Sequence, residues 1–164
     1  MTMTTTATPV TETIVVEAPI ERAFEVFTAD IGSWWPTSHH ILQAELAEML
    51  FEPRVGGHII DRGVDGTECR WARVLAYEPP TRVVFSWDIT LQWQIETDPA
   101  RVSEVEVRFL PESDERTRVE LEHRGIERHG DGWESMHAAV DSPNGWLIRL
   151  KRFAHRVSSA GDDA

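Results

Sequence analysis

Hydrophobic and polar residues alternate along most of the chain between residues 11 and 124, and this alternation predicts β-strands. Turn-forming glycine and proline residues separate several of the alternating segments. The last two segments carry charged residues at every second position, which indicates an antiparallel sheet with one face in water. The predicted strands lie at residues 11–17, 49–51, 58–62, 68–77, 83–90, 103–110 and 117–124.

Two short helices are predicted between the first and second strands. Residues 20–27 place apolar side chains on one helical face, and residues 30–35 form a helical turn that Pro36 ends. Residues 91–99 are ambiguous, because they either extend the fifth strand or belong to the turn that follows it.

Residues 131–157 form the most strongly patterned helical segment of the chain. Asp131 is followed three residues later by Glu134, the spacing of a reciprocal capping box at a helix N-terminus. Ser142 and Pro143 then interrupt the apolar stripe and resemble a second helix start. The pattern therefore predicts either one helix kinked near Asp141 or two helices end to end.

The order of the predicted elements is one strand, two short helices, six strands and a long helix. A curved antiparallel sheet of about seven strands that wraps round the C-terminal helix buries the apolar faces of both. This is an α+β architecture. We expect residues 10–157 to form a single domain, with residues 1–9 and 158–164 as flexible tails.

Charge and cysteine content exclude several classes of protein. A net charge of −12 argues against general binding to nucleic acids or anionic membranes, which requires a cationic surface. Cys69 is the single cysteine, so no intramolecular disulfide forms, and we expect a cytoplasmic protein. The Thr-rich N-terminus lacks the apolar core of a signal peptide.

The histidines do not have the spacing of a metal site. His39 and His40 are adjacent, and neither they nor His129 and His137 form an HExxH motif or a paired Cys/His pattern. The glycine-rich phosphate motifs and the GxSxG motif of hydrolases are also missing from the sequence. We therefore expect neither a metal nor a cofactor.

Five segments resemble one known superfamily, in the right order along the chain. They are residues 18–24 (APIERAF), 51–57 (FEPRVGG), 74–87, 117–123 (TRVELEH) and 132–135 (GWES). They resemble the START-like (SRPBCC) helix-grip superfamily, and within it the bacterial relatives of the Hsp90 ATPase activator's C-terminal domain. The resemblance implies a cavity between the sheet and the long helix, but it implies no single chemistry.

The candidate ligand-binding residues are those that the alternation and the helical stripe place toward this cavity. His123 shares its strand face with apolar residues and is a weak candidate for a catalytic acid or base. Arg62 and Asp88 have uncertain registers, and we expect them at the surface. Of the adjacent Trp34 and Trp35, one is expected to cover the core and the other to guard the entrance. The candidates are Trp35, Phe85, Trp87, Val107, Phe109, Leu121, His123, Trp133, Met136, Val140 and Trp146.

Three functions remain open from the sequence. The first is binding of a small hydrophobic or amphipathic molecule by a monomer or homodimer, without catalysis. The second is an enzyme of the cyclase or hydratase type, which requires ionisable groups inside the cavity. The third is an interaction module for a chaperone, which the resemblance to the Hsp90 activator raises as an unlikely partner.

Overall fold

A computed structural model describes residues 7–160 and contains one seven-stranded antiparallel sheet. The strands are β1 (Val10–Val16), β2 (Leu46–Phe51), β3 (His58–Gly63), β4 (Glu68–Glu78), β5 (Arg82–Trp87), β6 (Ser103–Ser113) and β7 (Arg116–Arg124). They lie in the order β1-β7-β6-β5-β4-β3-β2, so that every neighbouring pair except β1 and β7 is consecutive in sequence. The predicted seven-stranded α+β fold is confirmed.

The helices cover one face of this sheet. Two short helices follow the first strand, as predicted, and the C-terminal segment forms two helices on either side of a break. Sheet and helices together form the helix-grip arrangement that the sequence predicts. The helices are α1 (Ile20–Thr28), α2 (Ile31–Trp34), α3 (Trp133–Asp141) and α4 (Ile148–Ala160), and Pro143–Leu147 forms a kinked connection between the last two.

The helix break answers the question that the sequence left open. Gly145 has φ −91° and ψ −126°, which no helix adopts, so the C-terminal segment consists of separate helices. A Cβ atom at this position would lie 2.1 Å from the carbonyl oxygen of Val140, a distance that real side chains do not reach. Glycine therefore allows α4 to start close against the end of α3.

Two local predictions were wrong. No capping box forms, because Gly132 in a left-handed conformation is the N-cap of α3 and makes no side-chain cap bond. β6 continues to Ser113, beyond its predicted end at residue 110, and residues 111 and 113 pair with β7. Ala7 is buried and α4 continues through residue 160, both within the segments that were expected to be tails. The remainder of both tails lies outside the described residues.

One end of the covered sheet face is filled by a solid aromatic core. Phe27 of α1 packs edge-on against Phe109 of β6 and Phe153 of α4, with ring centroids 5.7 Å and 5.3 Å apart. Trp34 closes this group and donates a hydrogen bond from Nε1 to the carbonyl oxygen of Val26. These rings fill the space between the sheet and the helices at this end.

The opposite face of the sheet carries the charged residues that alternation predicted. Glu106 of β6 is buried there and accepts hydrogen bonds from Arg82 (2.7 Å), Arg108 (2.9 Å) and Arg124 (2.5 Å). This network ties three neighbouring strands together. None of the helices in the described part of the chain has the length and hydrophobicity that crossing a membrane requires.

Candidate functional site

A cavity of about 350 Å³ lies at the end of the sheet that the aromatic core around Phe27 leaves free. Its walls come from the loop that follows α2, from β3, β4 and β5, and from both sides of the helix break. Ser142 and Asn144, which belong to the break itself, line the cavity beside Val140. The interruption of the C-terminal helix therefore makes room for this cavity.

Four tryptophans pack against one another around the cavity and are called here the tryptophan cluster: Trp35, Trp71, Trp87 and Trp146. Their ring centroids are 5.3–5.8 Å apart, and all four rings are buried. Trp35, Trp71 and Trp87 line the cavity directly, whereas Trp146 supports them from behind. Such a wall presents rigid, flat apolar surface to a ligand.

Trp71 reaches the cavity because the strand pairing is irregular at this position. Ile59 pairs with Ala72 and Ile60 with Arg70, so that Trp71 is an extra residue in β4, a β-bulge. Both Trp71 and Ala72 are buried as a result. The bulge thus re-aims a bulky side chain toward the helices, as bulges beside functional sites often do.

Asp61 of β3 is a buried carboxyl group in the cavity wall. Its side chain is 3% exposed, and Oδ1 accepts a hydrogen bond of 3.1 Å from Nε1 of Trp71. Burial raises the pKa of Asp61 from 3.8 to about 6, and the hydrogen bond from Trp71 offsets only part of that rise. The carboxyl group can therefore both take up and release a proton near neutral pH.

Arg149, in the first turn of α4, is the second buried ionisable group of the cavity. Its guanidinium carbon lies 4.7 Å from the ring centroid of Trp35, 5.2 Å from that of Trp146 and 5.8 Å from that of Trp87. Burial lowers the pKa of Arg149 to about 10, so the side chain remains charged at neutral pH. The tryptophan cluster thus surrounds a cation.

His39 is another ionisable residue of the cavity wall. Burial and the nearby positive charges of Arg149 and Arg152 lower its pKa, so the neutral imidazole is favoured at neutral pH. The loop that carries His39 is held by a hydrogen bond from Nε1 of Trp35 to the carbonyl oxygen of His39. The cavity therefore combines apolar walls with an acid, an imidazole and a cation.

The structure brings three of the predicted ligand-binding residues to the cavity, namely Trp35, Trp87 and Val140. The other apolar candidates do not line it, because they fill the solid core or the helix–sheet contact instead. Trp133 is half-buried beside His137, and Trp146 lies behind the cavity wall. The candidates in the buried core are Phe85, Val107, Phe109, Leu121 and Met136.

His123, the candidate acid or base, is fully buried and does not line the cavity. Its Nδ1 accepts a hydrogen bond of 3.1 Å from Nε1 of Trp146, so the neutral ring carries its proton on Nε2. That proton lies toward Oγ of Ser103, 2.7 Å away, and Ser103 in turn contacts Nε2 of His129 at 2.7 Å. Burial lowers the pKa of His123 to about 3, with smaller effects from nearby positive charges. His123 orients Trp146 and is closed off from any ligand.

Trp34, Arg62 and Asp88, whose positions were also predicted from the sequence, lie in different parts of the structure. Trp34 belongs to the core and Trp35 forms a cavity wall, while Trp93, which is 47% exposed, lies at the mouth. Arg62 is at the surface, as expected, and pairs with two glutamates. Asp88 is buried and forms an ion pair of 2.9 Å with an arginine of β4, so its expected surface position was wrong.

Sequence reasoning missed Asp61, Trp71 and Arg149 as site residues. Asp61 stands two residues after Ile59, so both side chains lie on the same face of the strand. Because Ile60 between them is also apolar, the sequence shows no alternation at this point. Trp71 depends on a bulge, which has no signal in the sequence. Arg149 follows the helix break, whose geometry decides the direction in which that side chain points.

Residues 17–155 match the model of a protein family described as Activator of Hsp90 ATPase homolog 1-like protein. A comparison with curated proteins gave no match. Among solved structures, an anthrahydroquino-γ-pyrone synthase, Txn09, determined as a complex, is 42% identical to this chain. The similarity covers 93% of this chain and 99% of Txn09, with a TM-score of 0.65.

More distant structures share the fold alone. CalC from Micromonospora echinospora, described as a self-sacrificing resistance protein, is 22% identical over 93% of this chain and 95% of its own, with a TM-score of 0.65. A protein from Nitrosomonas europaea is 11% identical over the same shares of the two chains, with a TM-score of 0.63. Because the family model spans most of the chain, this protein belongs to the Activator of Hsp90 ATPase homolog 1-like family of the START-like helix-grip superfamily.

Proposed function

We propose that this protein is a ring-closing enzyme that forms a γ-pyrone on a flat aromatic substrate, with Asp61 as its proton-transfer group. The observation that carries the proposal is the buried carboxyl group of Asp61 in a cavity walled by tryptophans. The identity of 42% with an anthrahydroquino-γ-pyrone synthase over almost the whole chain supports the same choice of reaction.

The cavity favours a flat, multi-ring ligand. Its volume of about 350 Å³ lies within the range of pockets that hold small organic molecules. The rings of Trp35, Trp71 and Trp87 provide surfaces against which an aromatic system packs face to face or edge to face. Ile89 and Val140 add apolar contacts to these walls.

The proposed reaction joins a phenolic oxygen to the distal carbonyl carbon of a neighbouring 1,3-diketone side chain. The new carbon–oxygen bond closes a six-membered ring and leaves a hydroxyl group on the former carbonyl carbon. This hydroxyl leaves as water, together with one proton from the CH₂ group between the two carbonyls. The products are a γ-pyrone and one water molecule, and no oxidant or reductant is needed.

Asp61 serves both halves of this reaction. As a carboxylate it accepts the phenolic proton during the addition, and as a carboxylic acid it passes this proton to the carbonyl oxygen, which becomes the hydroxyl group. In the second half it accepts the CH₂ proton and passes it to that hydroxyl group, which leaves as water. A pKa of about 6 makes both forms accessible near neutral pH. The hydrogen bond from Trp71 holds the carboxyl group in one orientation, so the acid does not have to be positioned during each turnover.

The test uses a synthetic hydroxyanthraquinone with a 1,3-diketone side chain next to its hydroxyl group, and mass spectrometry follows the loss of water. We expect the wild-type protein to accelerate ring closure and Asp61→Asn to reduce that acceleration about 100-fold or more. Asp114→Asn, in the exposed turn between β6 and β7, is the matched control with full activity. An Asp61→Asn variant as active as the wild type contradicts the proposal.

Binding without catalysis is the second candidate function, and the tryptophan walls of the cavity favour it. In that case the aromatic substrate quenches tryptophan fluorescence saturably but is released unchanged. The same experiment separates the two functions, because a binding protein retains affinity in Asp61→Asn and gives no ring closure in either form.

A further inference from the structure

We propose that Arg149 forms an anion-binding subsite in the cavity, and that the natural ligand is a flat aromatic molecule whose anionic oxygen contacts this guanidinium. The inference rests on the proposed function, since it specifies the ligand class of the same cavity. The surroundings of Arg149 differ from those of the buried carboxylates Asp88 and Glu106.

Arg149 is 8% exposed and has no hydrogen bond or ion pair with any of the described residues. Its Nε atom is completely buried without a partner. By contrast, the buried carboxylates Asp88 and Glu106 are both satisfied by arginines. A buried cation without a counterion is costly, and such groups are normally paired or bind a ligand.

The tryptophan cluster holds the guanidinium without using its hydrogen-bond donors. The faces of Trp35, Trp87 and Trp146 lie within 5.8 Å of the guanidinium carbon and favour the positive charge. These contacts leave the N–H groups of Arg149 unused, and the side chain lines the cavity. A planar fork of N–H donors matches the geometry of a carboxylate or another anionic oxygen.

A second unused donor occurs on the same cavity wall. The indole Nε1 of Trp87 is buried and has no hydrogen-bond partner among residues 7–160. The unpartnered groups of Trp87 and Arg149 are N–H donors, so an oxygen acceptor satisfies them and an apolar ligand does not. A ligand with an anionic oxygen therefore satisfies groups that the protein leaves open.

Asp61 determines which end of the ligand this oxygen occupies. A carboxylate repels an anion, so the anionic oxygen is directed to Arg149 and the reacting part of the ligand to Asp61. The overall charge of −12 strengthens the need for a local cation, because it disfavours anions elsewhere on the molecule. Arg149 therefore selects the ligand and orients it.

The test compares pairs of small aromatic probes that differ in charge and hardly in shape. Calorimetry measures the affinity of 2-naphthoate against 2-naphthamide, and of 4-nitrophenolate against 4-nitroanisole. We expect the wild-type protein to bind the anion about 10-fold to 100-fold more tightly. One or two charge-assisted hydrogen bonds to Arg149 each raise the affinity roughly 10-fold over neutral ones. The first pair examines a carboxylate and the second an ionised phenol, so a preference in one pair alone identifies the oxygen group.

Variants then assign the preference to Arg149. Arg149→Met is expected to abolish it, and Arg149→Lys, which keeps the charge but loses the planar fork, to retain part of it. Arg54→Met, at an exposed arginine, is the control with unchanged selectivity. If Arg149→Met does not fold, the wild-type comparison and Arg149→Lys still decide the question.

Equal affinity of the wild-type protein for anionic and neutral probes of both pairs overturns the subsite, as does full anion preference in Arg149→Met. Either result is distinguishable from a failure of the proposed function. Anion preference without ring closure keeps the subsite and removes the proposed reaction, whereas ring closure without anion preference does the reverse.

Discussion

Replacing Asp61 with asparagine removes a buried acidic group while keeping its shape and its hydrogen bond. The amide oxygen of asparagine accepts the bond from Nε1 of Trp71 as the carboxylate does, and the side chain remains 3% exposed in the same cavity wall. What changes is the ability to carry a charge. The variant therefore isolates the free-energy cost of an ionised Asp61 in the folded protein.

The magnitude follows from the pKa of Asp61, which burial raises from 3.8 in the unfolded chain to about 6 in the folded protein. Between these two values the folded state holds a proton that the unfolded state has lost. The stability of the wild-type protein therefore falls as pH rises through this window, and it stays lowered above pH 6. The full effect is about 3 kcal/mol, since a tenfold change in proton affinity corresponds to about 1.4 kcal/mol. The Asp61→Asn variant has no carboxyl group at this position and therefore does not lose this stability as pH rises.

Urea denaturation followed by far-UV circular dichroism measures the effect near pH 4 and near pH 7.5. We expect Asp61→Asn to be more stable than the wild type by up to about 3 kcal/mol at the higher pH, and by much less at the lower pH. The exposed Asp114→Asn variant is the control, with the same stability as the wild type at both. A difference between Asp61→Asn and the wild type that is the same at both pH values refutes the reasoning.

Two further predictions concern the fold. Burial alone would raise the pKa of Glu106, but hydrogen bonds from three arginines lower it to about 2. Its contribution to stability is therefore complete above pH 4.5 and lost as pH falls toward 2, and Glu106→Gln is expected to cost about 2 kcal/mol at neutral pH in the same urea assay. An equal loss in the half-exposed control Glu120→Gln would contradict this. Gly145→Ala, whose Cβ meets the Val140 carbonyl at 2.1 Å, is expected to cost more than about 2 kcal/mol. Gly56→Ala, with open space around it and φ +87°, is expected to cost only about 1 kcal/mol, and similar melting temperatures for these two variants would argue against the clash.

The sheet could be predicted from the sequence because its signals are local. Alternation in β6 and β7 reports directly which side chains face the core, and all seven strands were found. The helix break was also visible, as Ser142 and Pro143 interrupt the apolar stripe. Its form was not, because the kink depends on how closely Gly145 approaches the end of α3.

The candidate site was predicted less well, since its position depends on tertiary packing. Apolar residues that face the helices have the same pattern whether they fill a core or line a cavity. Phe109 and Trp87 occupy such positions on neighbouring strands, yet the rings of α1 and α4 cover Phe109 while Trp87 lines the cavity. Three packing features place the cavity: the bulge at Trp71, the break at Gly145 and the loop that carries Trp35.

The cost of burying Asp61 and Arg149 is itself an argument that both serve a ligand. Apolar residues of similar size in these places would remove two desolvation penalties, and replacing buried ionic groups in this way is often neutral or stabilising. The predicted gain in stability of Asp61→Asn shows the size of one such penalty, about 3 kcal/mol at neutral pH. A fold kept for stability alone has no need to retain it. If Asp61→Asn is both more stable and inactive in ring closure, the carboxyl group has its place in the cavity because of the reaction, and the same reasoning extends to the unpaired guanidinium of Arg149.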